Sequence, residues 1–310
     1  MAKKKSQKAL SKQRSTFVNE QEDLLKKRVS SLEGKLFDKI FEKYLLNLKT
    51  KDGKIVDDVS NRQMAIGLNK IYKLFQVVDN APVIGDWLKD MNKITELNEK
   101  YFENISKEGV RANKDVIKEA VNKKLGLNSK GEVVKNGFTD KFLKDEHMLK
   151  QIKKVTTSAI VKKQGFEQLR ERLKKTISGD PALKTSGGLH QYYRNYAYDT
   201  YQQIDRLAGQ KFADAFGMTK FIYQGGLIAT SRPFCEHYNG RVVDAEKFSK
   251  LKIEDLPENQ RSGIPTEDWN PLLELGGFGC RHSKDWIQDS VAELVQKKFD
   301  ARADKKQGKT

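Results

Sequence analysis

Apolar residues recur at spacings of three and four over most of the chain, which predicts a largely helical protein. The first stripe runs from Leu32 to Leu48, and residues at this spacing share one face of a helix. Further stripes lie at 64–78, 87–105 and 189–217. Gly217 stands where a glycine commonly ends a helix. We therefore predict a helical region over residues 31–180.

Two helical stretches carry side chains that could also contact nucleic acid. Residues 151–177 contain eight Lys/Arg and two Glu, and this basic face suits either solvent or DNA. Tyr193, Tyr196 and Tyr201 lie at helical spacing in the 189–217 stretch. An aromatic stripe of this kind is more typical of a core than of base stacking, so we predict that these tyrosines are core residues.

The pattern changes after Gly217. Residues 220–230 mix β-branched and aromatic side chains around Gly225-Gly226, which predicts two short strands, and a last amphipathic helix is predicted over 282–299. The predicted fold class is α+β, with mostly helical N-terminal two thirds and a small mixed α/β C-terminal domain. We place that domain at 185–295 and a basic tail at 296–310.

The chain begins with basic residues and almost nothing apolar, so residues 1–30 are predicted to be a disordered basic arm. With 59 Lys+Arg against 42 Asp+Glu, the net charge is +17. A positive field attracts polyanions whatever the fold, so double-stranded DNA, bound without sequence preference, is the expected partner. The candidate DNA-binding residues of the arm are Lys3, Lys4, Lys5, Lys8, Lys12 and Arg14.

No run of apolar residues approaches the roughly 20 that a membrane-spanning helix requires, so we predict no membrane span. The basic N-terminus is not followed by the apolar segment of a secretory signal. We therefore expect the chain to remain in the compartment where it is synthesised.

Both cysteines occur in Cys-x-His elements, Cys235-Glu236-His237 and Cys280-Arg281-His282. Such rare residues, paired twice, predict that Cys235, His237, Cys280 and His282 converge. Thiolate sulfur and imidazole nitrogen suit tetrahedral zinc, which would fasten the intervening loop. A Cys235–Cys280 disulfide and two buried free thiols are the alternatives that the sequence leaves open.

A metal-dependent nuclease or other hydrolase is the alternative function. It would require an open coordination position and a base, for which Glu236 and Asp285 are the candidates. The sequence contains no phosphate-binding loop, dinucleotide signature or Ser/His/Asp ordering. We therefore expect the protein not to be an enzyme.

Three segments together resemble the C-terminal conserved domain of the phage Mu F-like minor head proteins, also called head morphogenesis proteins. They are YYRNYAYDTYQQIDR, FIYQGGLIATSRPFCEHYNGRVVD and NPLLELGGFGCRH. In that family a Thr/Ser-Arg-x-x-Cys element, a Gly-Lys or Gly-Arg turn and a closing Cys-Arg-His or Cys-Arg-Cys element follow in order. The matching positions are Ser231, Arg232, Cys235, Gly240, Arg241, Cys280, Arg281 and His282.

The resemblance covers residues 185–290, and it departs from the family at the first element, where many members have Cys-x-x-Cys. It implies an internal capsid protein at the portal vertex, acting in head assembly or in genome packaging and delivery. The implied partners are the portal protein, DNA and other capsid proteins. The implied location is the virion, after assembly in the host cytoplasm.

Two arginines lie within the motif. Arg232 and Arg281 are either solvent-facing charges or, in the more specific hypothesis, forks of donors that satisfy loop carbonyls or a carboxylate such as Asp244 or Asp285. The second hypothesis assigns both arginines a structural role that lysine cannot reproduce.

Overall fold

The structure is a computed structural model that describes residues 6–265 and 267–306. It has the predicted α+β class, mostly helical with a small mixed C-terminal part. The helices are α1 (Gln7–Lys43), α2 (Val59–Phe75), α3 (Ala81–Glu103), α4 (Lys107–Leu125), α5 (Phe138–Lys144), α6 (His147–Val161), α7 (Phe166–Ser178), α8 (Gly188–Tyr193), α9 (Asp199–Ala215), α10 (Pro233–Tyr238), α11 (Ala245–Ser249), α12 (Pro271–Glu274) and α13 (Asp289–Lys306). The strands are β1 (Thr50–Lys51), β2 (Lys54–Ile55), β3 (Gly179–Asp180), β4 (Thr185–Ser186), β5 (Lys220–Gln224), β6 (Val242–Asp244) and β7 (Ser283–Ile287).

The chain divides into two compact units, and neither is continuous in sequence. Unit 1 comprises Met1–Gln21, Met91–Glu132 and Asp199–Thr310, and unit 2 comprises Glu22–Asp90 and Val133–Tyr198. This differs from the predicted division at residues 30, 180 and 295. Two of the boundaries fall inside α1 and α3. The sequence did not predict them, because apolar spacing identifies a helix without indicating which segments pack around each part of it.

The predicted disorder of residues 1–30 is wrong for residues 7–30, which belong to α1. The first turns of α1 bury Ser11 and Arg14 instead of apolar residues. Their hydrogen bonds to other parts of unit 1 hold this part of the helix in place. The start of α1 therefore lacks the apolar stripe from which a helix could be predicted. From Val18 onward most of the buried positions are apolar, with Glu22 and Glu33 as buried charged exceptions.

Unit 1 is built around an antiparallel sheet with the strand order β6-β5-β7. Phe221 of β5 lies opposite Val243 of β6 and Trp286 of β7. The predicted second strand after Gly225-Gly226 is a loop, and the predicted helix over 282–299 begins as β7 before α13. Residues 283–286 are buried and pair with the central strand, which explains why they are extended.

Unit 2 packs α2 and α5–α8 around an aromatic cluster. Phe142 stacks on Tyr196 with ring centroids 5.1 Å apart and contacts Tyr193 edge-on at 5.2 Å. Tyr193 is fully buried, and so is Tyr201 in unit 1, which confirms the prediction that these two are core residues, whereas Tyr196 is half-buried. The helix predicted over 151–177 is two helices, because Lys163 adopts a left-handed conformation with φ of 52° between α6 and α7.

Two further predictions concern the ends of elements and the membrane. Gly217, with φ of 64°, follows the end of α9 as predicted. Residues 296–306 of the predicted basic tail are helical, and 307–310 lie outside the described residues. Within the described part of the chain, no helix combines the length and the apolar character needed to cross a membrane.

Candidate metal centre

Cys235, Cys280 and His282 meet beside the central strand of the unit 1 sheet. Cys235 lies on α10, and the other two residues lie in the turn that leads into β7. All three side chains are buried, and they form a group that could hold a metal ion. The two cysteines are 45 positions apart in the sequence, so the segment between them is closed into a loop at this point.

The distances within this group fit a tetrahedral site. The Cys235 and Cys280 Sγ atoms are 3.9 Å apart, and Cys280 Sγ lies 3.7 Å from His282 Nδ1. Bonds of about 2.3 Å to sulfur and about 2.05 Å to nitrogen at tetrahedral angles give separations of about 3.8 and about 3.6 Å. A disulfide, with sulfurs about 2.05 Å apart, is not formed, and both thiols are free.

His237, the fourth predicted ligand, does not join the group. It is exposed and its ring contacts Tyr238 edge-on, with centroids 4.8 Å apart. The reason is helical geometry: α10 places residues two positions apart on different faces, so Cys235 points inward and His237 outward. Cys280 and His282 precede or enter an extended strand, where positions two apart share a face.

The hydroxyl of Tyr223 lies against both sulfurs. Tyr223 Oη is 3.4 Å from Cys235 Sγ and 3.8 Å from Cys280 Sγ, and its ring is 5.0 Å from the His282 ring. The hydrogen bond from Cys235 lowers the pKa of the Cys280 thiol, and Arg206 and His282 lower it further. The same bond and burial raise the pKa of Cys235. Cys280 is therefore the first of the two to become a thiolate.

Arg206 on α9 fixes the backbone around Cys280 and His282. Its guanidinium donates to the carbonyl of His282 at 2.7 Å, to that of Cys280 at 2.5 Å and to that of Leu273 at 2.8 Å. Sequence reasoning missed this residue, because a charged residue on an amphipathic helix is ordinarily placed on the solvent face. Nearly every face of α9 is buried, including Asp205 and Arg206.

Arg232 plays the structural role predicted for it. It donates to the carbonyls of Gly276 at 2.9 Å and Phe278 at 2.5 Å, and so holds the turn before Cys280. Arg281 is exposed, and Arg206 already satisfies the carbonyls on either side of it.

Two glycines leave room for the ligand side chains. A Cβ on Gly276 would lie 2.4 Å from Cys235 Sγ, and a Cβ on Gly225 would lie 2.4 Å from His282 Cδ2. The neighbouring Gly226 has nothing within 4 Å of the corresponding position. The Gly225-Gly226 pair thus ends β5 and admits the His282 ring.

The remaining motif residues shape turns. Ser231 Oγ accepts a hydrogen bond from the Ile228 backbone at 2.8 Å. Gly240 has φ of 82°, and its N–H donates to the Tyr223 carbonyl at 2.7 Å. The carbonyl of Arg241 accepts from the Tyr223 N–H at 3.0 Å, so the Gly240-Arg241 turn leads directly into β6.

The candidate DNA-binding residues fall into three groups. Lys3, Lys4 and Lys5 lie outside the described residues. Lys8 and Lys12 are exposed on α1 and remain candidates. Arg14 is only 1% exposed, so its prediction as a DNA-binding residue is wrong.

Arg14 instead joins four segments of unit 1. Its guanidinium lies 3.1 Å from Asp205 and 3.0 Å from Asp285, and it donates to the Asn98 side chain at 3.1 Å. Ser11 donates to the same Asp285 carboxylate at 2.5 Å. Two carboxylates balance this buried charge, which is the condition under which an arginine is tolerated in a protein interior.

No protein family, curated protein or solved structure matches this chain.

Proposed function

We propose that this chain is an internal head protein of a tailed bacteriophage, of the Mu F-like kind, with a structural zinc ion fastening unit 1. In this proposal it acts at the portal vertex in head assembly or in genome packaging and delivery, and it binds double-stranded DNA without sequence preference. Inside the virion, unit 1 would be a rigid module for contact with the portal protein and other capsid proteins.

The observation that carries the proposal is the grouping of Cys235, Cys280 and His282. These residues belong to the two motif elements on which the family resemblance rests, and their separations suit tetrahedral zinc. A further motif residue, Arg232, also lies at this point of the fold, where it holds the turn before Cys280. The motif is thus explained as a set of residues that closes one loop onto the sheet.

A hydrolase is the second candidate, because three ligands leave one tetrahedral position for a water molecule. Neither of its two candidate bases is placed to activate a metal-bound water. Asp285 is engaged by Arg14 and Ser11, and Glu236 is exposed on α10 next to the inward-facing Cys235. Cys235, Cys280 and His282 are each at least 94% buried, which disfavours the approach of a phosphodiester to a metal held there. A structural ion is the better account.

Metal analysis of the purified full chain tests the zinc site. We expect about one zinc per chain, lost in Cys235→Ser and Cys280→Ser and kept in the matched variant His237→Ala. A chain without bound metal, or equal loss in all three variants, would contradict the site. Incubation of the zinc-loaded chain with plasmid DNA should leave the DNA intact, and cleavage that depends on Cys280 would favour the hydrolase.

The virion role has its own test. Particles from a phage or induced prophage that carries the gene should contain the chain inside DNA-filled heads, as detected by mass spectrometry after removal of external protein. The chain should also bind the portal protein encoded by the same genome. Its absence from purified heads would refute the proposed function.

A further inference from the structure

A cleft of about 470 Å³, lined by polar residues and glycines, lies on unit 1 between the first turns of α1, the loop after β5 and the start of β7. We call it the α1 cleft. Lys8 and Lys12 project into it from α1, and Arg281 borders it from the turn before β7. Lys8 and Lys12 are four residues apart, so they share one face of the helix. Three cations from two distant parts of the chain therefore converge on one cleft.

The carboxylate in the cleft does not cancel this charge. Asp285 lies at its base, but Arg14 at 3.0 Å and Ser11 at 2.5 Å already bind its Oδ1 atom. The carboxylate is buried, and the Arg14 guanidinium that binds it is shared with Asp205. The three exposed cations Lys8, Lys12 and Arg281 therefore outnumber the one buried carboxylate of the cleft.

The lining has the composition of a phosphate contact surface. It contains hydroxyl and amide side chains, including Ser15, Ser283 and Asn19, and the exposed backbone of Gly225-Gly226. These are the groups that contact phosphate and sugar in protein–DNA complexes. None of the described residues that line the cleft is aromatic or aliphatic, whereas single-stranded binders stack bases on aromatic rings. The surface suits the backbone of DNA and not its bases.

We propose that the α1 cleft binds backbone phosphates of double-stranded DNA, with Lys8, Lys12 and Arg281 as the phosphate-contacting residues. This inference rests on the DNA-binding role proposed above, and it gives that role a location. It also assigns Arg281 a function in ligand contact. Because Arg281 lies between Cys280 and His282, the metal centre positions the third cation of the cleft.

The position of the cleft is also tied to the metal centre through Gly225. Its Cα approaches the His282 ring so closely that a Cβ there would overlap the ring. One wall of the α1 cleft is therefore packed directly on the His282 ring. A metal ion that fixes this ring would also fix the shape of the wall.

The test compares two triple variants of the full chain that remove the same charges. The first is K8Q/K12Q/R281Q. The matched control is R111Q/K114Q/K118Q, which removes one arginine and two lysines exposed on α4 of the same unit. All six residues are exposed, so both variants should fold, and their thermal unfolding midpoints should confirm it.

DNA affinity is measured against salt concentration by fluorescence anisotropy with a labelled duplex. Each phosphate contact contributes about 0.9 to the slope of log K against log salt, so the cleft variant should lose about 2.7 in slope magnitude. The control should stay near the parent slope, and R281Q alone should lose about 0.9. Equal losses of slope in both triple variants would overturn the proposal that the α1 cleft is the DNA-binding site, while the proposed general DNA binding would stand.

Two further outcomes are decisive. If the parent chain binds no DNA at low salt, the proposed DNA-binding role itself fails. If the cleft variant loses binding of inorganic phosphate, measured by ³¹P NMR, while its DNA slope is unchanged, then the cleft takes a small anion and the proposal is wrong.

Discussion

Arg14 and Asp285 lie 3.0 Å apart in the interior of unit 1, although 271 positions separate them in the sequence. The pair ties the first turns of α1 to the edge strand β7. The basic N-terminal segment is therefore, from α1 onward, part of the folded unit. Among its cations, Lys8 and Lys12 are exposed and available to an external partner, whereas Arg14 is not.

Replacing Arg14 should lower the stability of the protein, because Arg14 is part of a buried ion-pair network. In Arg14→Ala, Asp205 and Asp285 lose their shared cation, and breaking a buried ion pair in this way costs about 3–5 kcal/mol. The free energy of unfolding from guanidinium titration should fall by that amount. Lys12→Ala, two residues earlier and exposed on the same helix, should stay within about 0.5 kcal/mol of the parent. Similar losses in both variants would contradict the buried role of Arg14.

The three arginines near the metal centre should respond differently to lysine. Arg206→Lys and Arg232→Lys each leave backbone carbonyls without donors, at about 1–3 kcal/mol per variant. Arg281→Lys, exposed at the same turn, should lower the unfolding free energy by less than either of these variants. Thermal and denaturant unfolding of the three variants checks this order. A loss in Arg281→Lys as large as in Arg206→Lys would mean that the backbone support is wrongly assigned.

Neighbouring glycines provide a steric test of the His282 position. A methyl group at Gly225 overlaps the His282 ring, and overpacking of this kind costs about 1–3 kcal/mol. The same methyl at Gly226 enters open space. Gly225→Ala should therefore lower both stability and zinc content, whereas Gly226→Ala should change neither. If the two variants behave alike, the His282 ring does not pack where the structure places it.

Glu33 in unit 2 should make stability depend on pH. Burial raises its pKa to about 7 from an ordinary 4.5, so the folded chain keeps a proton that the unfolded chain releases. The contribution of Glu33 to stability is complete below pH 4.5 and is lost as pH rises to about 7. His190, whose Nε2 lies 3.9 Å from Glu33, has a pKa lowered by burial and acts in the opposite sense.

Glu33→Gln separates these effects, because His190 is present in both proteins and the glutamine has no proton to lose. The variant should gain stability over the parent as pH rises from 4.5 to 7, measured by urea unfolding at a series of pH values. Glu42→Gln, exposed on the same helix, is the control and should follow the parent curve. A constant difference between Glu33→Gln and the parent would show that Glu33 is not protonated in the folded chain.

The sequence predicts most of the fold because apolar spacing reports directly on helix burial, as in the stripe from Leu32. It fails where polar residues are buried. Arg14 and Arg206 leave no apolar signal, since their burial depends on carboxylates and carbonyls contributed by distant segments. The same limit hides the discontinuous units, because contacts such as Arg14 with Asp285 are not encoded in any local pattern.

The convergence predicted for four residues of the candidate metal centre is found for three of them. Pairing of rare Cys and His residues correctly brings Cys235, Cys280 and His282 together. It fails at His237, because a Cys-x-His pair has different geometry on a helix and in an extended segment. A sequence expectation of helix over 233–238, where Pro233 starts α10, would have excluded His237 from the group.

X-ray absorption at the zinc edge of the purified chain tests the central claim most directly, since it reports the atoms bound to the metal. The account predicts two sulfur neighbours at about 2.3 Å and a nitrogen neighbour at about 2.0–2.1 Å. Cys280→Ser should remove one sulfur from this shell, and His237→Ala should leave the spectrum unchanged. A shell of nitrogen and oxygen alone, or a spectrum that changes in His237→Ala, would contradict the metal centre built from Cys235, Cys280 and His282.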